Sequence, residues 1–147
     1  MSAFTRGSSF ELRQAIRYLK DSVGVNQLVL DLRGNGGGLL QESISIVNLF
    51  VEKGQEVVST RGKKEEWMKS YSTMAPPLVP DLPVAVLIDE QSASASEIVS
   101  GTLQDLDRAI IVGQESFGKG LVQQTKPLAY GTKLKVTVAK YLSLIHI

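Results

Sequence analysis

The sequence predicts an α/β domain with a mostly parallel sheet flanked by helices, plus a C-terminal hairpin. Three observations predict it. Short apolar runs, QLVLDL at 27–32, PVAVLID at 83–89 and AIIVG at 109–113, alternate with segments whose apolar residues recur at helical spacing. The first two runs each lead into a turn of small residues, GNGGG at 34–38 and SASAS at 92–96. Residues 121–141 instead hold two strand-like runs joined through a Pro- and Gly-containing turn.

The elements follow in order. Ser8 with Glu11 three residues on is a capping box, and Leu12, Ala15, Ile16 and Leu19 then share one helical face up to the stop at Gly24. Residues 27–32 read as a buried strand. Leu40, Ile44, Val47 and Val51 give a second amphipathic helix, ended by Gly54. EVVST at 56–60 is a strand. Residues 61–81, rich in charge and with prolines at 76, 77 and 80, read as a loop excursion with a helical turn at Trp67. Trp67 and Tyr71 read as local packing residues, with the lining of a substrate groove as the alternative. Residues 83–89 form a strand, 94–106 a helix with Ile98, Leu103 and Leu106 inward, 109–113 a strand, and 121–126 with 133–141 the hairpin.

Composition narrows the chemistry. The length of 147 residues suits one domain, and a net charge of +1 argues against a broad nucleic-acid surface. The absence of cysteine excludes a thiol nucleophile and a cysteine-based zinc site. The one histidine, His146, sits next to the last residue, so neither a histidine-rich metal centre nor a Ser-His-Asp triad is expected. No run approaches the roughly 18 apolar residues of a membrane span, and the first residues lack the apolar core of a signal peptide.

Three constellations remain. SASASE at 92–97 opens a helix, where a serine hydroxyl lies beside unpaired N–H groups at the positive end of the helix dipole; a plain helix cap is the bland alternative. Sequence chemistry does not choose among Ser92, Ser94 and Ser96. DLRGNGGG at 31–38 is a glycine turn between strand and helix, able to bring backbone amides close to an anion; Leu39 stands where a dinucleotide-binding fingerprint needs its third glycine. GQESFGKG at 113–120 nearly matches a phosphate-binding loop. Gly120 replaces the metal-holding Ser/Thr, however, and a hairpin follows where a helix should, so no nucleotide site is expected. Lys119 between glycines reads instead as a lysine turned inward. Burial lowers a lysine pKa from about 10.4 toward 7–8 in catalytic cases, and a neutral lysine can deprotonate a serine. With no usable histidine or cysteine, that is the available way to activate a serine here.

Together DLRGNGGGLL, SASASEIVSGTLQDLDRAIIVG and SFGKGLVQ, in that order, resemble the carboxyl-terminal processing peptidases, or tail-specific proteases, across residues 2–142. The 25-residue interval from Ser94 to Lys119 fits that family. The resemblance implies Ser94 as nucleophile, Lys119 as general base and Gln123 as the side chain orienting the lysine. It places oxyanion donors at the N–H of Ala95 and in the glycine turn, at Gly37 or Gly38; Asp105 also matches an acidic position of the family pattern, and reads as structural support because helix phase sets it far from Ser94. It implies a core like that of crotonases and Clp proteases, and cleavage of proteins near a free C-terminus through an acyl-enzyme with no metal, nucleotide or other cofactor. The implied partner is a protein or peptide tail; a homo-oligomer is left open. Residues 1–143 are expected to be the peptidase core without the PDZ domain that usually precedes it, and 144–147 a read-through tail. The full-length parent is expected in the periplasm or cell envelope. Two rival readings are a catalytically incomplete peptide-binding fragment and a crotonase-like acyl-thioester enzyme using the glycine turn alone.

Overall fold

Three of the predicted apolar runs pair as parallel strands. In a computed structural model, which describes residues 1–142, β1 (Leu28–Asp31), β4 (Val84–Ile88) and β5 (Ile110–Gly113) lie side by side in the order β1-β4-β5. Leu30, Val86 and Ile111 stand in register across them, and Leu30 and Val86 are buried. Helices α2 (Leu40–Val47) and α3 (Ala95–Asp105) pack on each other and share the core. On α3 the inward residues Ala95, Ile98, Val99, Thr102 and Leu103 follow the i, i+3, i+4 rhythm of a single face. The other sheet face is bare: Val29 is 60% exposed, and Ile110, in register with it across Ala85 of the central strand, is 71% exposed. Apolar runs of this kind ordinarily belong to sheets covered on both sides.

The expected single, mostly parallel sheet is divided. β2 (Glu56–Gly62), β3 (Lys69–Ser72), β6 (Leu121–Pro127) and β7 (Lys133–Leu142) form a separate antiparallel sheet in the order β3-β2-β7-β6. Val57, Val58 and Tyr141 bring it onto the shared core, and the buried Thr102 hydroxyl of α3 donates to the Val57 carbonyl at 2.8 Å. β3 falls within the stretch read as a loop. Its sequence KSYS offers one apolar residue, the half-buried Tyr71 opposite Val58, which is too little for an alternating pattern to show. A single helical turn at Glu65–Trp67 precedes it.

Two helix ends also differ. Helix α1 (Ser8–Tyr18) is not capped by its own Ser8–Glu11 pair. Gly7 is the N-cap, and the Glu42 carboxylate of α2 accepts from the Gly7 N–H at 3.1 Å and the Ser9 N–H at 2.8 Å. The helix continues as a π-helical turn at Leu19–Val23 and stops, as expected, at Gly24, whose φ is 76°. Helix α2 ends at Val47, although the buried stripe runs on through Leu49, Phe50 and Val51 in the turns that follow. The 144–147 segment and His146 lie outside the described residues.

Candidate active site

The three serines at the start of α3 are sorted by their environments. The Ser92 hydroxyl is buried, donating to the Leu32 carbonyl at 2.9 Å and accepting from the Asp89 N–H at 3.0 Å. The Ser96 hydroxyl is buried and donates to the Asn35 carbonyl at 2.8 Å. Both act as struts. Ser94 between them is half-buried and serves as the N-cap of α3 with φ 56° and ψ −110°. An L-residue held there carries strain of about 1–3 kcal/mol, and such strain gathers at functional positions. A sharp, strained strand-to-helix turn of this kind lifts a serine hydroxyl clear of the sheet.

The glycine turn closes over this serine. Gly37 has φ 97°, and a Cβ there would stand 2.6 Å from the Ala93 carbonyl oxygen, 2.9 Å from Ser94 Cβ and 3.0 Å from Ala95 N. Only glycine lets the two backbones come so near. The fully buried Asn35 fixes the approach. Its carbonyl accepts from the Ala93 N–H at 3.0 Å, and its side-chain Oδ1 accepts from the Gly37 N–H at 2.9 Å. On the far side, the Phe4 N–H donates to the Gly37 carbonyl at 3.0 Å, and the Leu39 N–H to the Phe4 carbonyl at 2.8 Å. The structure thus brings Ser94, Ala95 and Gly37 together, with Gly38 next in the turn.

Two carboxylates secure the outer rim. Asp89 accepts from the Gly34 N–H at 2.9 Å and from the Gln91 and Ser92 N–H groups at 3.1 Å, tying the glycine turn to the serine turn. These bonds, the Gly34 N–H foremost, hold its pKa below the usual carboxylate range. Asp31 pairs bidentately with Arg33 at 2.7 and 3.0 Å, and the hydrogen bonds from Arg33 bring its pKa down to about 2.

Lys119 arrives on the loop after β5, and Glu97 is what receives that loop. One Glu97 carboxylate accepts from the Ser94 N–H at 2.6 Å, the Ser116 hydroxyl at 2.9 Å, the Gly118 N–H at 2.6 Å and the Lys119 N–H at 3.0 Å. The Phe117 N–H adds a bond to the Ser92 carbonyl at 3.0 Å, and the Tyr141 N–H of β7 donates to the Gly120 carbonyl at 2.9 Å. The backbones of Ser94 and Lys119 therefore share one acceptor. The Lys119 side chain is half-buried, and Gln123 lies exposed on β6 opposite Thr137. Among the described residues no hydrogen bond joins Lys119 Nζ to Ser94 Oγ or to Gln123.

Sequence reasoning saw Glu97 only as a local cap and passed over Asn35 and Asp89. The S-x-x-E spacing marks Glu97 as reaching back to the Ser94 N–H; nothing local signals that a loop 22 residues away docks on the same carboxylate. Among the described residues, no three His, Cys, Asp or Glu side chains are grouped so as to hold a metal ion.

Comparison with known proteins agrees with this layout. The sequence model for peptidase family S41 matches residues 1–145. A carboxy-terminal-processing protease of Bartonella bacilliformis is 44% identical over 141 residues, which is 94% of this chain and 32% of the relative. A carboxyl-terminal-processing protease of a Picosynechococcus species is 40% identical over 146 residues, 99% of this chain and 34% of the relative. Among solved structures, the photosystem II D1 C-terminal processing protease superposes with a TM-score of 0.84 at 33% identity, covering 97% of this chain and 36% of that one. The chain spans about a third of the length of these relatives. From the order of its motifs to the packing of glycine turn on serine turn, this chain belongs to peptidase family S41.

Proposed function

We propose that the chain carries the catalytic centre of a serine endopeptidase that cuts protein substrates near their C-terminus, with Ser94 as nucleophile and Lys119 as general base. The observation that carries this reading is the backbone of Ser94: alone of the three serines, it is strained and free of a structural bond to a carbonyl. Lys119, as general base, takes the Ser94 Oγ proton as the oxygen attacks the scissile carbonyl. The N–H of Ala95 and one amide of the glycine turn receive the oxyanion. Gly37 could donate only by leaving Asn35 Oδ1, whereas the Gly38 N–H carries no such bond, so Gly38 is our choice. The leaving amine departs protonated, and water activated by Lys119 then hydrolyses the acyl-enzyme. Gln123 is assigned to orient the lysine, which requires its side chain to swing toward Nζ from its exposed place on β6. β6 is an edge strand starting two residues after Lys119, a fitting place for an extended substrate to add. We assign the protein to the periplasm or cell envelope.

Glu97 is a positioning residue in this scheme. Glu97→Ala leaves four donors without their charged acceptor. Hydrogen bonds to charged groups contribute about 1.5–3 kcal/mol each when isolated. Water reaches this half-buried site, so a total loss near 3 kcal/mol is expected in a denaturant titration. A displacement of about 1 Å between nucleophile and base costs roughly 100-fold in turnover, and that fall should appear in kcat with KM little changed. A fall confined to KM would place Glu97 in substrate binding instead.

The direct test is covalent labelling of the 147-residue chain with a fluorophosphonate, read by peptide mass spectrometry. Modification on Ser94, absent in Ser94→Ala, is the expected result. Modification of another serine overturns the assignment. No modification favours the second reading, a peptide-binding fragment. The acyl-thioester alternative has nothing to set against membership of a peptidase family.

A further inference from the structure

The charges of this nearly neutral chain are unevenly placed. Residues 56–72 and 119–142, which hold the antiparallel sheet and Lys119, contain nine lysines and arginines against three glutamates, in a chain of net charge +1. Three of those cations surround a groove of about 430 Å³ formed by β2, the turn at Trp67, β7 and the start of β6. Arg61, Lys63 and Lys140 line it with Trp67 and Leu121, and no carboxylate does. Among the described residues none of the three cations has an acidic partner; the ion pairs are Arg33–Asp31 and Lys64–Glu66. Arg61 and Lys140 are moreover direct cross-strand partners, and Lys140 in turn faces Leu121. Like charges directly opposite destabilise a sheet, so this pairing works against the fold. The row Arg61–Lys140–Leu121 ends two residues from Lys119, and the bond from the Tyr141 N–H to the Gly120 carbonyl fixes that spacing.

We infer that this groove binds an acidic segment of the peptide substrate: carboxylate side chains pair with Arg61, Lys63 and Lys140 while an apolar neighbour packs on Trp67 and Leu121. The inference rests on the peptidase reading for its occupant. Its support is separate: an unneutralised cationic row, a half-buried aromatic wall with Lys64 Nζ a further cation 5.2 Å from the ring centroid, and continuity with the loop that carries Lys119. A substrate bound so would lay its acidic stretch along β6 and β7, displaced from the scissile bond.

Trp67 is the only tryptophan in the sequence, so its fluorescence reports on the groove alone. The Ser94→Ala chain is titrated with an N-acetylated decapeptide bearing four glutamates, with the same peptide carrying glutamines, and with a short oligothymidylate. A saturable change in Trp67 emission with the glutamate peptide is expected, at least about tenfold weaker with the glutamine peptide. It should weaken further as salt rises from about 0.05 to 0.5 M, which screens exposed charges. Lys140→Glu should weaken glutamate-peptide binding by about tenfold or more without lowering the thermal midpoint, because it turns a repulsive cross-strand pair into an attractive one. Equal affinity for the two peptides, or full binding by Lys140→Glu, overturns the proposal; tighter binding of the oligothymidylate overturns it in favour of nucleic acid. Since the readout is binding to a chain lacking the Ser94 hydroxyl, an unlabelled Ser94 in the fluorophosphonate experiment would leave this result standing, and the two readings fail separately.

Discussion

Ser94→Gly should lose hydrolysis of an unstructured protein substrate by about four to six orders of magnitude, and yet make the fold more stable. The first half follows from removing the nucleophile. The second follows from φ 56° and ψ −110° at a residue with a Cβ. Glycine adopts such angles at little steric cost, which releases about 1–3 kcal/mol of strain; its freer unfolded chain offsets about 0.4–1 kcal/mol of that. A net gain near 1 kcal/mol is expected in chemical denaturation. Ser94→Ala keeps the Cβ and hence the strain but removes the N-cap hydroxyl, so it should be equally inactive and about 0.5–2 kcal/mol less stable than the parent. The pair of variants separates the hydroxyl from the backbone. Hydrolysis surviving in either would remove Ser94 as nucleophile, and a destabilised glycine variant would refute the strain.

Lys119→Arg should fall by about three to four orders of magnitude in turnover while folding normally. Arginine keeps its proton throughout the accessible pH range, so it cannot serve as base, though its charge and reach are similar. The loop should not notice the exchange, because Glu97 holds it through the Lys119 N–H, the Gly118 N–H and the Ser116 hydroxyl rather than through the lysine side chain. Circular dichroism and the denaturation midpoint should therefore match the parent. Unchanged turnover would eliminate the Ser–Lys pair; a large loss of stability would show the side chain, and not Glu97, to be the anchor.

Much of this architecture was legible because burial writes itself into local sequence. LVL, VAVLI and IIV are apolar throughout, and turns of small residues mark where the first two strands end. What stayed hidden depended on distant partners. Ser8 and Glu11 spell a capping box, but the helix starts one residue earlier and Glu42 of another helix takes the Gly7 and Ser9 N–H groups. EVVST is plainly a strand, yet which sheet it joins is decided by antiparallel pairing with β7 some 80 residues later. For the site, motif spacing singled out Ser94 and Lys119 by family resemblance. The physical grounds for preferring Ser94 to Ser92 and Ser96 lie in backbone angles and hydrogen bonds that no local spacing records.

The bond from the Tyr141 N–H to the Gly120 carbonyl has a consequence for the order in which the protein is made. Vectorial synthesis delivers the glycine turn first, then the serine turn it covers, and the lysine loop later still. That loop has its Glu97 anchor at once, but its second support waits until β7 has left the ribosome and paired. On the proposed chemistry, a nascent chain halted before residue 141 would display its nucleophile beside an unsteady base. Full reactivity would come only once β7 has paired.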